Sequence, residues 1–333
     1  MQGQIAVTGF RAEHLEEAKA LVDAAYQEER AAVPALPPEL PDFSLAHFAQ
    51  NGMGVAAVSS ESGRLIGFLC GTDPFERAFG ATRARGVFSP MHANAAQRQG
   101  RAEIYAHLLP AAQEKWARAG ASSHALCLYA HDEETQRLLF SYGFGLRCMD
   151  AIRLTGEDFP LQAPPPGFQL RELKGEEREL SYPLHLLLDE HMAKSPTFIR
   201  RASPSREEFL RGLQESGDRC FAALSGNRAA ALFRISLGGG ETLVSDMPKT
   251  CHILHTCCLP EYRGTGLSRS LLGLILHTLR GEGIERLSVD FESINPAASR
   301  FWQKYFAAYT HSVTRRIDED VLKELTGDGN KKL

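Results

Sequence analysis

Five residues of metal-binding type lie within eight consecutive positions of the chain: Cys251, His252, His255, Cys257 and Cys258. The apolar residues among them predict a β-strand, whose successive side chains point to opposite faces of a sheet. Cys251, His255 and Cys257 are therefore expected on one face, unless a β-bulge re-aims His255. His252 and Cys258 are expected on the other face. Because a zinc site needs four ligands around one point, the spacing does not predict a metal site.

A glycine-containing turn follows this strand and leads into an apolar helix. After Cys258 and Leu259 at the strand end, its residues are Arg263, Gly264, Thr265, Gly266, Leu267 and Ser268. The first N–H groups of a helix lack partners within the helix and carry the positive end of its dipole. Glycines let an anion approach this backbone closely. The turn is therefore a candidate phosphate or pyrophosphate site, although many similar strings are plain loops.

The composition is that of a globular, two-domain protein. The chain has 333 residues, of which 43% are hydrophobic, enough for two buried cores. Its formal net charge is −4 and its basic residues are scattered, so we expect neither a nucleic acid nor a membrane as partner. No apolar stretch approaches the roughly 20 residues that span a bilayer.

The cysteines and the first residues favour a cytoplasmic location. Seven cysteines, an odd number, do not make a disulfide framework and fit a reducing compartment. The start of the chain lacks the basic and then apolar regions of a secretory signal.

A proline-rich segment divides the chain. It predicts a linker at residues 156–167 between domains at 1–155 and 168–318, with a polar tail at 319–333. Each half shows the same order: strand, helix, hairpin, a strand leading through a glycine turn into a long helix, strand, short helix and final strand. We therefore predict an α/β (α+β) fold. Each half is expected to contain one mixed, mostly antiparallel sheet flanked by helices.

Two motifs in the second half resemble those of the GNAT N-acyltransferase superfamily. Motif A of that family is Gln or Arg, two residues of any type, Gly, any residue, and Gly or Ala. Arg263 and Gly266 match it, and Ser268 takes the last position. The string NPAASRFWQKYF resembles motif B of the family, with matches at Asn295, Ala298 and Phe301.

The first half matches the same motifs. Gln97, Gly100 and Ala102 fit motif A, and Gly143 and Phe144 end the segment that corresponds to motif B. The resemblance thus covers nearly the whole chain as two tandem GNAT domains. It implies acyl transfer from acetyl-CoA to a small-molecule amine without a metal, with the motif A amides holding the CoA pyrophosphate.

The resemblance also directs the search for a general base. Family members that use a side-chain base often carry it eleven residues before motif A, and that position is His252. A histidine, with an unperturbed pKa near 6.5, suits removal of a proton from an ammonium group. A histidine merely packed in a strand is the alternative, and His255 is a second candidate. The corresponding position in the first half is Gly86, which offers no base.

The general acid of the family is commonly a Tyr directly after the Phe of motif B. That position is Trp302 in the second half and Leu139 in the first, and neither can protonate a thiolate. Tyr305, one helical turn beyond Trp302, is the candidate acid, with a packed core tyrosine or a water molecule as alternatives.

Carboxylates mark the strand before motif B. Asp290 and Glu292 are expected on one face of it, and carboxylates in a central strand are costly unless paired or facing a cleft. Contact with a cationic substrate and a salt bridge to Arg315 or Arg316 remain open, so Glu292 joins the catalytic candidates. At the matching place in the first half, Tyr129, His131 and Asp132 are expected to be structural or to line a pocket.

These observations predict an N-acyltransferase with its catalytic site in the second domain and a degenerate first domain. A non-catalytic acyl-CoA-binding or regulatory protein is one alternative, and an active first domain is another. The acceptor, the acyl chain length and the choice between monomer and homodimer are left open.

Overall fold

The computed structural model describes residues 5–80, 84–238 and 242–326. Contacts divide the chain into two compact units. Unit 1 comprises Met1–Met149 and Ala308–Leu333, and unit 2 comprises Asp150–Ala307. Within the described residues, no helix has both the length and the apolar character that crossing a membrane requires.

The first 154 residues contain seven strands and four α-helices in the described part of the chain. The strands are β1 (Ile5–Gly9), β2 (Val55–Ser59), β3 (Leu65–Leu69), β4 (Gly86–Ser89), β5 (Asn94–Ala96), β6 (Ser123–Tyr129) and β7 (Gly145–Leu154). The helices are α1 (Leu15–Ala32), α2 (Ala46–Gln50), α3 (Arg101–Arg118) and α4 (Glu133–Ser141). Strands β1, β2, β3 and β5 form an antiparallel sheet in that order, and β4 pairs in parallel with β6.

Unit 2 continues with five strands and four α-helices in its described part. The strands are β8 (Gln169–Leu173), β9 (Arg219–Ser225), β10 (Arg228–Leu237), β11 (Thr250–Cys258) and β12 (Arg286–Glu292). The helices are α5 (Tyr182–Met192), α6 (Arg206–Ser216), α7 (Leu267–Gly281) and α8 (Pro296–Tyr305). Strands β8 to β11 pair antiparallel in order, and β11 pairs in parallel with β12.

Helix α7 packs on the sheet of unit 2 through one apolar face. Its buried residues recur every three or four positions, as an amphipathic helix on a sheet requires: Leu267, Leu271, Leu272, Ile275, Leu276 and Leu279. The helix contacts β9 and β10, where Phe221 and Phe233 are buried. Each large side chain removed from water stabilises the unit by about 1.5–3 kcal/mol, and this burial fixes the start of α7 beside the end of β11.

The last elements of the chain are β13 (Ala307–Arg316) and α9 (Glu319–Thr326). From Ala308 onward the residues belong to unit 1, because β13 pairs antiparallel with β6 along Thr310–Arg316. This division by contacts differs from the sequence-based domain at 168–318, which remains a prediction. Residues 319–326 form α9 where a polar tail was expected, and residues 327–333 lie outside the described part of the chain.

The predicted fold class is confirmed. Mixed sheets flanked by helices occur in both units, with the parallel β4–β6 and β11–β12 pairs beside antiparallel strands. Hairpins, glycine turns and helices recur in the two units in the predicted order.

Candidate active site

The glycine-containing turn of unit 2 ends where α7 begins. Gly264 and Gly266 adopt φ values of 80° and 90°, which side chains with a Cβ rarely tolerate. Gly266 caps the helix without a side-chain hydrogen bond, and the carbonyl of Gly266 accepts from the Ser270 N–H at 2.9 Å. Among the described residues, no acceptor is found for the N–H groups of Leu267 and Ser268. The turn therefore offers free backbone donors at the positive end of a helix dipole.

A cavity of about 730 Å³ opens beside this turn, and we call it the cofactor cavity. Residues of the strand end and turn that line it are Cys258, Arg263, Gly264, Gly266, Leu267 and Ser268. Asn295 and Phe301 line it from α8 and its N-cap. Asn295 accepts a hydrogen bond from the Ala298 N–H and Pro296 occupies the first turn, so motif B is a helix start with an ordinary cap.

Two residues predicted to bind the cofactor are placed differently. Leu259 and Thr265 are absent from the described lining of the cofactor cavity. The Leu259 N–H donates to the Ala230 carbonyl at 2.8 Å, and the Thr265 hydroxyl donates to the Tyr262 carbonyl at 2.8 Å. Both residues therefore shape the turn rather than face the cavity.

Three further cations line the cofactor cavity and were missed in the sequence: Arg269, Arg300 and Lys304. We call them, with Arg263, the basic rim. Arg300 and Lys304 are four residues apart on α8 and so share one face of the helix. The sequence carried a signal for these two cations, because Ala297, Arg300 and Lys304 follow one another at helical spacing on one face of α8. The basic rim suits the phosphate groups of a nucleotide.

The linker segment contacts the start of α7. The Gln162 side chain accepts a hydrogen bond from Arg269, and a Cβ built on Gly266 would lie 3.9 Å from Gln162 Nε2. The guanidinium of Arg269 lies 5.2 Å from the ring centroid of Phe159, and that ring lies 5.4 Å from the Tyr305 ring. The linker thus holds one cation of the basic rim in place.

A second cavity, of about 210 Å³, adjoins the first, and we call it the acceptor cavity. The cavities share the lining residues Leu188, Thr256, Asn295, Ala298 and Trp302. The parallel register of β11 and β12 runs from Thr250 paired with Arg286 to Ile253 paired with Val289. The next three residues of each strand, 254–256 and 290–292, line the acceptor cavity, so it lies where the pairing of the two strands ends.

Carboxylates dominate the charge of the acceptor cavity. Asp189, Asp290 and Glu292 line it, with Arg201 as a cation. The Glu292 side chain is 14% exposed and lies 3.8 Å from the Arg201 guanidinium. Asp290 is more open, with its side chain 42% exposed. Contact of these carboxylates with a cationic substrate therefore stays a prediction.

His252 lies behind the acceptor cavity rather than in it. Its side chain is 3% exposed, and it is absent from the described lining of both cavities. Its Nδ1 lies 2.9 Å from Ser288 Oγ and its Nε2 lies 3.0 Å from Asp290 Oδ1. The link between His252 and the acceptor cavity therefore runs through the carboxylate of Asp290.

A β-bulge brings His255 into the acceptor cavity. Arg234 pairs with His255 and Ile235 pairs with Ile253, which leaves Leu254 as an extra residue in β11. The predicted alternation of faces along this strand is therefore interrupted at Leu254. Burial, with help from the neighbouring His185, lowers the pKa of His255 to about 3, so its imidazole is neutral at physiological pH.

Tyr305 lines the cofactor cavity, one turn of α8 beyond Trp302. Its ring lies 5.1 Å from that of Phe301 and is half-buried. Trp302 is buried and lines both cavities, where it offers only an N–H donor. Tyr305 is thus placed beside the cofactor cavity, as the candidate acid requires.

The cysteines near the site are poor nucleophiles. Burial raises the pKa of the Cys257 thiol to about 12, and burial also raises the pKa of Cys258. Because the thiolate is the reactive form, these thiols are not activated for covalent transfer. Among the described residues, no group of three or more potential ligands is arranged to hold a metal ion.

Unit 1 has its own cleft, of about 1000 Å³, beside the turn at Gly100, and we call it the first-unit cleft. Gly100 adopts φ of 69° ahead of α3, so the predicted turn forms. Arg101 lies 2.9 Å from a Glu28 carboxylate oxygen and 3.9 Å from one of Asp132. Tyr129, His131 and Asp132 line this cleft.

In unit 1, the positions that correspond to the base and the acid lie in packed surroundings. A Cβ on Gly86 would approach Ala78 Cβ to 2.4 Å, so no larger side chain fits there without rearrangement. Leu139 is fully buried in the core of the unit.

Comparison with known proteins agrees with the motifs. Residues 185–307 match the model of the acetyltransferase (GNAT) family. No curated protein matches the chain in sequence. That segment contains every residue named above as lining the cofactor and acceptor cavities.

Solved structures show the same fold. A GCN5-related N-acetyltransferase from Sphaerobacter thermophilus has 12% identity and a TM-score of 0.55 over 94% of this chain and 95% of that chain. The glucosamine N-acetyltransferase region of a fungal multi-domain GH3 beta-N-acetylglucosaminidase has 12% identity and a TM-score of 0.51 over 94% of this chain and 38% of that chain. Residues 185–307 thus match the GNAT family, and nearly the whole chain shares the fold of these GNAT structures.

Proposed function

We propose that the protein is an acyl-CoA-dependent N-acyltransferase that uses unit 2 to transfer an acetyl group from acetyl-CoA to a small-molecule amine. One observation carries this proposal: a cavity with free backbone donors and a basic rim adjoins a cavity lined by carboxylates. The first suits a cofactor rich in phosphate, and the second suits an ammonium group. We extend the proposal to a cytoplasmic location, on the sequence evidence of seven cysteines.

The residues of the cofactor cavity fit acetyl-CoA. The N–H groups of Leu267 and Ser268 would bind the pyrophosphate, because Gly264 and Gly266 present no Cβ in its path. Arg269, Arg300 and Lys304 would pair with the remaining phosphate charge. When bound, acetyl-CoA supplies a thioester whose carbonyl carbon accepts the amine.

We propose that Asp290 and His252 remove the proton of the amine. The ammonium must lose a proton before its nitrogen attacks the thioester carbon. Asp290 meets the acceptor cavity and hydrogen-bonds His252, so the proton of the amine would pass by way of Asp290 to His252, which is the base. The C–N bond then forms and the C–S bond breaks. Glu292, also in the cavity, would hold the ammonium before its deprotonation.

Tyr305 is the proposed source of a proton for the leaving thiolate. It lines the cofactor cavity, whereas Trp302 at the family position carries no acidic proton. The presence of Trp302 at that position also favours the second candidate function, a protein that binds acyl-CoA without transferring its acyl group. The two functions share binding of acyl-CoA in the cofactor cavity and differ in whether the acyl group is transferred.

The test combines acetyl-CoA binding by calorimetry with thiol release across pH, using a panel of small primary amines. We expect kcat/KM to rise with pH, because a base acts in its deprotonated form. His252→Ala should remove this rise and lower kcat/KM about 10²–10⁴-fold, with the affinity for acetyl-CoA unchanged. A chain that binds acetyl-CoA but acylates no amine would support the non-catalytic function. A chain that binds no acetyl-CoA would exclude both.

A further inference from the structure

The acceptor cavity contains an arrangement that acyl transfer does not require. The imidazole rings of His185, from α5, and His255, from β11, lie against each other at a tilt, with centroids 4.7 Å apart and an interplanar angle of 34°. Both residues line the cavity. The bulge at Leu254 is what turns His255 toward α5, so this contact depends on a specific irregularity of the strand.

The polar atoms of these rings lack partners. Both nitrogens of His185, Nε2 of His255 and the hydroxyl of Thr256 are buried without a hydrogen bond among the described residues. His185 Nε2 lies 3.5 Å from Asp189 Oδ2, too far for a good hydrogen bond, and Asp189 already accepts from Ser203 at 2.7 Å. A buried polar group without a partner costs roughly 1–3 kcal/mol. Four such atoms around one small cavity indicate that a bound molecule supplies their partners.

The charge state of the rings limits what that molecule can be. Burial lowers the pKa of both His185 and His255, so both rings are neutral near pH 7. A neutral imidazole has one N–H donor and one acceptor nitrogen. A hydroxyl group also donates and accepts, and therefore matches either nitrogen. An alkyl group matches neither, and an ammonium only donates.

We propose that His185, His255 and Thr256 select a hydroxylated amine, of the amino sugar class, as the acceptor. The amine would lie toward Asp290 and Glu292, while its hydroxyl groups would bind the unpartnered nitrogens and the Thr256 hydroxyl. Thr256 lines both cavities, so hydroxyl groups held there keep the amine near the cofactor cavity. A cavity of about 210 Å³ suits a single ring rather than a peptide chain. This inference rests on the proposed function but concerns only the choice of acceptor.

The experiment measures binding, so it does not depend on turnover. The full chain, saturated with CoA, is titrated by calorimetry with D-glucosamine, with cyclohexylamine and with L-alanine. Cyclohexylamine keeps a six-membered ring and an amine but has no hydroxyl groups, and L-alanine offers a carboxylate that Arg201 would bind. We expect D-glucosamine to bind at least tenfold more tightly than either. Equal or weaker binding of D-glucosamine, or no binding of any of the three, overturns the proposal.

Variants assign the preference to the two rings. His255→Phe and His185→Phe keep an aromatic ring but remove its nitrogens, and each should reduce the preference for D-glucosamine over cyclohexylamine at least fivefold. Thr256→Val, which is isosteric, should also reduce the preference for D-glucosamine. It replaces either Phe variant as the test if that variant folds poorly. His277→Phe on the exposed face of α7 is the control and should leave the preference unchanged. If all three cavity variants keep the full preference for D-glucosamine, the proposal is overturned. If the wild type binds no acetyl-CoA, that result instead contradicts the proposed function.

Discussion

The two units each place a glycine-containing turn at the start of a long helix, yet the charges around the two turns are opposite. The described lining of the cofactor cavity includes four cations and no carboxylate. The first-unit cleft is lined by five carboxylates and three arginines, and Arg101 there is paired with Glu28. Backbone geometry alone therefore does not make an anion site, because the surrounding side chains decide the sign of the potential.

Burial affects the carboxylates of the first-unit cleft. Glu29 in the first-unit cleft is 2% exposed, and burial raises its pKa even though His131 Nδ1 lies 2.8 Å from it. Burial also raises the pKa of Asp132. These carboxylates line the same cleft as Gly100 and Arg101, which a bound phosphate would contact. We expect unit 2 to bind the cofactor and the first-unit cleft to bind it weakly.

The largest expected effect comes from placing a carboxylate on each turn. Gly266→Glu should abolish acetyl-CoA binding, because the charge would occupy the place of the pyrophosphate. Gly100→Glu should leave binding and turnover within about threefold of wild type. Both glycines have positive φ, so the cost of the left-handed conformation, roughly 1–2 kcal/mol, applies to both variants and cancels in the comparison. Calorimetry on the two folded variants decides between the units, and loss of turnover in Gly100→Glu would assign catalysis to unit 1.

A smaller effect should follow from reversing one charge in each cleft. Arg300→Glu changes the basic rim and should weaken acetyl-CoA binding about ten- to thirtyfold at low salt. This corresponds to a change of two charges at about 1 kcal/mol each in water. Arg137→Glu, in the first-unit cleft, is the matched control and should change affinity less than twofold.

Salt dependence checks the cause of that effect. Raising the ionic strength from about 0.01 M to 1 M shortens the screening length from roughly 30 Å to 3 Å, so the difference between wild type and Arg300→Glu should shrink. A difference that does not change with salt would show that Arg300 acts through packing rather than through charge.

Local patterns predicted much of unit 2. Apolar spacing located α7, and the spacing of Gly264 and Gly266 located the turn that precedes it, since both depend on neighbours in sequence. The position of His252 beside Asp290 did not follow from alternation alone. It depends on the parallel register that sets His252 opposite Ser288 across two strands.

Distant pairings account for what the sequence did not predict. The bulge at Leu254 arises from the register between β10 and β11, and the acidity of the first-unit cleft arises because α1 brings Glu28 to Arg101, 73 residues away. The assignment of β13 to unit 1 also rests on pairing with a distant strand, β6. None of these features has a local signal, because each depends on which segments meet after folding.

The smallest expected effect compares one buried histidine in each unit. Burial lowers the pKa of His124 in unit 1 to about 4 and that of His255 in unit 2 to about 3. His124 Nε2 lies 3.1 Å from the Ala121 carbonyl, whereas His255 Nε2 has no partner among the described residues. Replacement by Phe should therefore lower the stability at pH 7.5 by about 1 kcal/mol for His124 and raise it for His255, where it removes an unpartnered buried atom.

Acid should separate the same variants from wild type. A histidine whose folded pKa lies below its unfolded value contributes stability above the unfolded pKa, and that stability is lost as pH falls toward the folded pKa. For His255 the window runs from about 6.5 down to about 3, with a loss of up to about 1.4 kcal/mol per pH unit. His255→Phe should therefore lose less stability than wild type between pH 7.5 and pH 5, by about 1–2 kcal/mol, measured as the shift in Tm. If the variant and wild type decline in parallel, His255 already binds a proton in the folded state, and the neutral imidazole pair of the acceptor cavity would have to be abandoned.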